Sequence, residues 1–219
     1  MKKHSIKCKN FLFYCGLLMF LSELWKQYCL TCTLNHGSYN WWYFPFQLCS
    51  IPMYICLMFP IITSERLLSL MLTFLMDFGL LGGIFTFFDT TGLYYGYAPL
   101  TIHSFGWHIL LIIIGIYAGR SGKADISKKG FAKTAGFFFA CCLLATFFNL
   151  VFHPYGKINM FYISPYYQMG QIVYRDIAEM FGNAFGIVSY LVSILMGAGL
   201  LHLLWTRYSA HACNRQEST

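Results

Sequence analysis

Apolar residues are distributed along this chain in six long blocks rather than at helical or strand spacing. The blocks run Phe11–Leu30, Phe44–Ile62, Leu67–Phe88, Pro99–Ala118, Phe131–Phe152 and Ile177–Trp205, with short polar segments between them. A helix needs about 20 consecutive apolar residues to cross the hydrocarbon core of a bilayer, and each block is near or above that length. The pattern predicts an all-α fold, a polytopic membrane helix bundle of six transmembrane helices. Residues 1–10 form a basic N-terminus, 11–205 the membrane domain and 206–219 a tail. The last block is longer than a straight span requires and is expected to tilt or to begin as an interfacial turn.

Composition agrees with this reading. Apolar residues make up 58% of the 219 and charged residues only 11%, too few to clothe a water-soluble fold of this size. Aromatic residues reach 20%, and Trp and Tyr gather near the ends of blocks, as in the stretch Tyr39–Tyr43, where they suit a membrane interface. The net charge of +7 does not indicate nucleic acid, because the basic residues fall in loops. Lys2, Lys3, Lys7, Lys9, Arg66, Arg120, Lys123, Lys128, Lys129, Lys133, Arg207 and Arg215 would all share one side of a six-span bundle. That asymmetry places both termini in the cytoplasm of a multi-pass protein of the cell membrane. Glu23 and Lys26 interrupt the first block and no small-residue cleavage site follows it, so the block reads as an anchored helix.

Several of the nine cysteines lie inside apolar blocks as small hydrophobes. Cys29 and Cys32 form a lone CxxC without a second pair, and no metal site or cofactor is expected. Glycines four apart (Gly79 and Gly83, Gly115 and Gly119, Gly182 and Gly186) are read as helix-packing contacts.

Ionisable groups at membrane depth are costly and call for a reason. Followed by direction of travel, Glu23, Lys26, Gln47, Cys49, His103, His108 and Asn149 all fall in the outer half of the bundle. Asp77 lies near mid-depth, and the inner half offers little beyond His202. This predicts a polar cavity open toward the outer leaflet. Each residue also has a plainer role: Glu23 and Lys26, three apart, neutralise each other; Asp77 finds a partner on another helix; His103 donates a hydrogen bond between helices. Within FPFQLCSIP, Pro45 suits a first helical turn, whereas Pro52 is expected to leave the carbonyl of Leu48 unpaired beside Cys49. A cysteine becomes a nucleophile only as thiolate, which requires a base, and the two histidines stand at comparable depth.

Phe44–Tyr54 (FPFQLCSIPMY), preceded by Glu23-Leu24-Trp25, resembles the YwaF-like bacterial integral membrane proteins, which are related to vertebrate transmembrane protein 164. Leu100–Ile112 (LTIHSFGWHILLI) looks like that family's His-bearing helix, and Asn149 with Asn159–Pro165 (NMFYISP) like its Asn-rich segment. The vertebrate relative is described as a lipid acyltransferase with a cysteine nucleophile and a partner histidine. The resemblance implies Cys49 as acyl acceptor and His108 as base, with His103 the second choice. Gln47, Asp77, Asn149 and Asn159 would line the substrate site, and membrane lipid would be the partner. Gln47 stands where many relatives carry His. The alternative function is small-molecule binding or transport, although the first block lacks the small-residue face on which such components dock an energising partner. A purely structural role would leave Asp77, His103 and His108 without a reason for their cost.

Overall fold

The computed structural model describes residues 2–217, with side chains from Lys9 to Ala210. The side chains of Lys2, Lys3, Lys7 and Arg215, which contribute to the charge asymmetry, lie outside the described residues. The fold is all-α, with no strand among those residues. Four helical stretches are long and apolar enough to cross a membrane: Glu65–Phe85, Ala98–Arg120, Lys128–Tyr155 and Asn183–Ala210. A further long helix, α1 (Lys2–Tyr28), opens the chain and unwinds into a π turn over Cys29–Leu34.

The second apolar block departs most from expectation. Its backbone is non-helical from Phe44 to Gln47, forms a 3-10 turn over Leu48–Ser50, and becomes α-helical only in α2 (Ile51–Met58). The helical part, Leu48–Met58, rises about 16 Å, roughly half of a hydrocarbon core of about 30 Å. Pro52 therefore lies in a first turn, where no N–H is needed, and not in a helix interior. The Leu48 carbonyl, expected to lack a partner, accepts the N–H of Ile51. Pro45 precedes the helix, and its carbonyl accepts the Tyr54 hydroxyl at 2.7 Å.

α2 lies directly on α1. A Cβ on Gly16 would stand 2.6 Å from that of Cys56, so only glycine permits this approach. At the far end of α2 the Lys9 ammonium donates to the Ile62 carbonyl at 2.6 Å, meeting a group that the end of a helix leaves open.

The centre of the bundle is a rod made of α3 (Glu65–Phe74), a π segment (Leu75–Gly79) and α4 (Leu80–Phe85). Leu72, Phe74, Leu75, Met76 and Phe78 along it are completely buried. α5 (Ala98–Arg120) packs against the rod where Gly115 meets Leu80. α6 (Lys128–Phe152) starts at Ser127, whose hydroxyl caps the helix by accepting the Gly130 N–H.

The sixth block is two helices. α7 (Tyr174–Phe181) stops at Gly182, whose φ of 94° ends the helix, and α8 (Asn183–Glu217) follows. Asp176 and Glu179 are exposed on α7, and α8 continues past Trp205, where the tail was expected to begin. Asn183 holds the junction by accepting the Met169 N–H at 2.7 Å and donating to the Tyr167 carbonyl at 2.9 Å.

Candidate functional site

The segment between α6 and α7 carries three non-glycine residues at positive φ, a region that side chains rarely adopt: Phe161 at 57°, Tyr162 at 58° and Val173 at 72°. Three side-chain amides hold its Asn159–Ser164 part. Gln47 accepts the Phe161 N–H at 2.8 Å and donates to the Asn159 carbonyl at 3.0 Å. Asn149, fully buried, accepts the Met160 N–H at 2.6 Å and donates to the Met160 carbonyl at 3.0 Å. Asn159 accepts the Ser164 N–H at 2.9 Å. An amide carries one acceptor and one donor group, and Gln47 and Asn149 each match both to backbone. Three of the residues expected to meet substrate thus form one cluster, which fixes the shape of this loop.

Cys49 sits in the 3-10 turn ahead of α2 and is partly exposed. Its carbonyl accepts the indole N–H of Trp107, on α5, at 3.1 Å. The charges whose fields reach it are Lys26 and Glu23, and the Ser50 side chain is beside it. Those two charges form a close pair, Lys26 Nζ to Glu23 Oε2 at 2.7 Å, with the Glu23 side chain nearly inaccessible. Gln27 donates both to Glu23 Oε1 and to the Tyr43 carbonyl, each at 2.7 Å, which ties the end of α1 to the loop before Cys49. The Lys26 ammonium also stands 6.0 Å above the Trp107 ring, within the range of a cation–π contact.

The two histidines are placed differently. His103 lies between Trp25 and Trp107, with ring centroids 5.7 and 5.6 Å away, and its Nε2 is buried without a hydrogen-bond partner. His108 is buried, and its Nδ1 lies 2.8 Å from the Ser104 carbonyl. A carbonyl can only accept, so this contact requires the proton on Nδ1 and leaves the Nε2 lone pair available as a base. Among the described residues no hydrogen bond joins the Cys49 thiol to either imidazole; the residue that reaches Cys49 from this helix is Trp107. Catalytic contacts commonly tighten only around substrate.

Asp77 is set apart from this group. Its Oδ2 lies 2.9 Å from Nδ1 of His202, and His202 Nε2 lies 3.1 Å from the Ser127 carbonyl. Both side chains are buried. Satisfying both contacts takes two protons, held either as imidazolium and carboxylate or as neutral imidazole and carboxylic acid. The pair joins the central rod to α8 and to the loop after α5, at the opposite end of α5 from Cys49. In that loop Asp125 is held below the usual carboxylate range, first by the Ser127 hydroxyl and then by the Ser127 N–H and Lys133. Asp77 therefore has, through Oδ2, the cross-helix partner that its depth called for.

Trp107 was not singled out by the sequence, although a signal was present. An indole N–H inside an apolar helix needs an acceptor, and Trp107 directly precedes His108. The bundle and its cysteine site define a multi-pass α-helical membrane protein with a partly exposed cysteine residue beside a charge pair whose carboxylate is buried. The chain belongs to the TMEM164 family, which it matches over residues 1–206. No curated protein and no solved structure matches it.

Proposed function

We propose that this chain spans the cell membrane six times, with both termini in the cytoplasm, and that it transfers or hydrolyses lipid acyl groups through Cys49. The observation that carries the chemistry is the seating of Cys49. Cys49, partly exposed as a residue, stands in the turn that opens a half-length helix, its backbone is clamped by Trp107, and the pair of half-buried Lys26 with buried Glu23 lies close by. Thiolate chemistry needs a positive or basic neighbour, and Lys26 and the histidines of α5 supply such groups on the two elements that flank the cysteine.

In the proposed reaction the thiol gives its proton to His108 Nε2, and Sγ attacks the acyl carbonyl carbon. The new S–C bond forms as the ester C–O bond of the donor lipid breaks, and the departing oxygen takes the proton back from His108. A lipid hydroxyl then attacks the thioester in a transfer, or water does so in a hydrolysis, and the thiol is regenerated. The alternative is a small-molecule binding or transport protein, in which Cys49 carries nothing.

Mass spectrometry of the Cys49 peptide decides between them. Protein incubated with membrane phospholipid should carry an acyl mass that neutral hydroxylamine removes. An unmodified peptide in every phospholipid mixture, from protein shown to be folded, would favour the binding role.

The topology has its own support. α1 is about 40 Å long by helical rise, enough to cross, and α2 with the irregular backbone on either side of it would make the second passage. Reporter fusions at the C-terminus should be active only inside the cell, and a fusion at Lys157 only outside. A C-terminal reporter active outside would end the six-span assignment.

A further inference from the structure

α1 and α5 run antiparallel in close register. Phe11 meets Tyr117, with ring centroids 4.2 Å apart, and Trp25 meets His103 at 5.7 Å. Between these two ring contacts, about 21 Å apart along either axis, the helices part and leave a cavity of about 320 Å³. Leu18, Met19, Trp107, Leu110 and Ile113 line it with apolar surface, and Ser22 and His103 supply its polar groups. Leu18, Ile109 and Ile113 at its edge are about half exposed or more, so it opens sideways, toward lipid.

We infer that this groove holds one acyl chain of a membrane lipid, entering laterally between α1 and α5, with the carbonyl at the His103 end. The groove combines a long apolar wall with a single unmet polar atom, the buried Nε2 of His103, which asks for one hydrogen-bonding group. An acyl ester offers that pairing of an apolar tail with one polar head. Trp107 lines the same groove and donates its indole N–H to the Cys49 carbonyl, so the head end adjoins the nucleophile. The inference rests on the acyl-transfer reading for the direction of the chain.

The test uses the full chain in nanodiscs of phosphatidylcholine doped with a phosphatidylcholine that bears a diazirine midway along one acyl chain. After illumination, cross-links should concentrate on Leu18–Ser22 and Gly106–Ile113, at least several-fold above exposed positions such as Leu143 and Val188. Gly106 lines the groove, and a Cβ there meets nothing within 4 Å, so Gly106→Trp starts into open space and directs its indole at the groove. That variant should lose about tenfold of the groove labelling, with labelling at Leu143 unchanged and the melting curve intact. His103→Phe, which keeps the ring contacts, should weaken groove labelling several-fold. Cys49→Ala should leave it unaltered. A groove labelled no more than Leu143, or labelled equally in Gly106→Trp, overturns the inference even if Cys49 is acylated. Strong groove labelling with an unmodified Cys49 would sustain the groove and refute the catalytic reading.

Discussion

In a His108→Ala variant, acylation of Cys49 is expected to slow by about 10²-fold or more, the scale on which a lost general base is felt. In Cys49→Ala it should not occur at all. The reason for choosing His108 over His103 is the Ser104 carbonyl, which fixes the His108 proton on Nδ1 and leaves Nε2 with its lone pair. His103 has no such contact and packs against Trp25 and Trp107 instead. Its replacement by alanine should therefore cost less than that of His108. A missing base can be bypassed when the solution itself deprotonates the thiol, so the deficit of His108→Ala should shrink as the pH is raised toward the ordinary thiol range. Stopped-flow or quenched acylation with a fluorescent acyl donor, run between neutral and alkaline pH, reads both effects. A deficit that stays constant with pH, or a His103→Ala defect larger than that of His108→Ala, would transfer the role of base away from His108.

The second large effect is on stability. His202→Leu removes the imidazole that meets Asp77 Oδ2 and leaves a fully buried carboxyl group without its ion-pair partner. Breaking a buried pair in this way costs about 3–5 kcal/mol, whereas replacing both members with apolar residues is often close to neutral. Asp77→Leu alone should cost less, about 1–3 kcal/mol, because His202 keeps its contact with the Ser127 carbonyl through Nε2. The double variant should be more stable than His202→Leu. Thermal unfolding in mild detergent, followed by helical circular dichroism, gives the four corners of the cycle. Single-variant costs that simply add in the double variant would show that the two side chains do not support each other.

Much of the bundle could be read from its apolar blocks because lipid imposes a simple length requirement on a helix. The blocks that hold Phe74, Leu111 and Phe138 became helices near their predicted bounds. Block two did not, because apolarity alone cannot tell a helix from extended backbone that borrows partners from its neighbours. Its two prolines carried the missing information: Pro52 marks a helix start at Ile51 once the preceding residues are allowed to be irregular. Block six, whose excess length points to tilt or an interfacial turn, breaks at Gly182, which reads in sequence as a packing glycine and in the fold has the φ that ends a helix.

The candidate site was legible as a set of costly residues, but not as a set of contacts. Asp77 announced a partner without identifying it, and that partner lies 125 positions away. Gln47 and Asn149 looked like groups waiting for substrate, yet an amide serves a strained backbone equally well. That choice depends on Phe161 and Tyr162 having positive φ, which no residue type in this stretch reveals. Cys49 and Trp107 come from different blocks, and only the packed bundle shows the bond between them.

The π segment at Leu75–Gly79 makes the centre of the bundle sensitive to residue count as well as to residue identity. It accommodates one residue more than an α-helix would over the same turn, so that the surplus is absorbed there and α4 keeps its facing direction. Deleting one residue from 75 to 79 would let the rod wind as continuous α-helix with α4 facing as before, whereas one more inserted residue, wound as α-helix, would swing everything beyond it by about 100°. Gly83, whose missing side chain lets α4 rest on Ile112 and the His108 carbonyl, would then point elsewhere, and a bulkier neighbour would arrive in its place. An alanine scan would find the buried Leu75, Met76, Asp77 and Phe78 costly one by one, while a single-codon insertion would misalign the whole contact between α4 and α5.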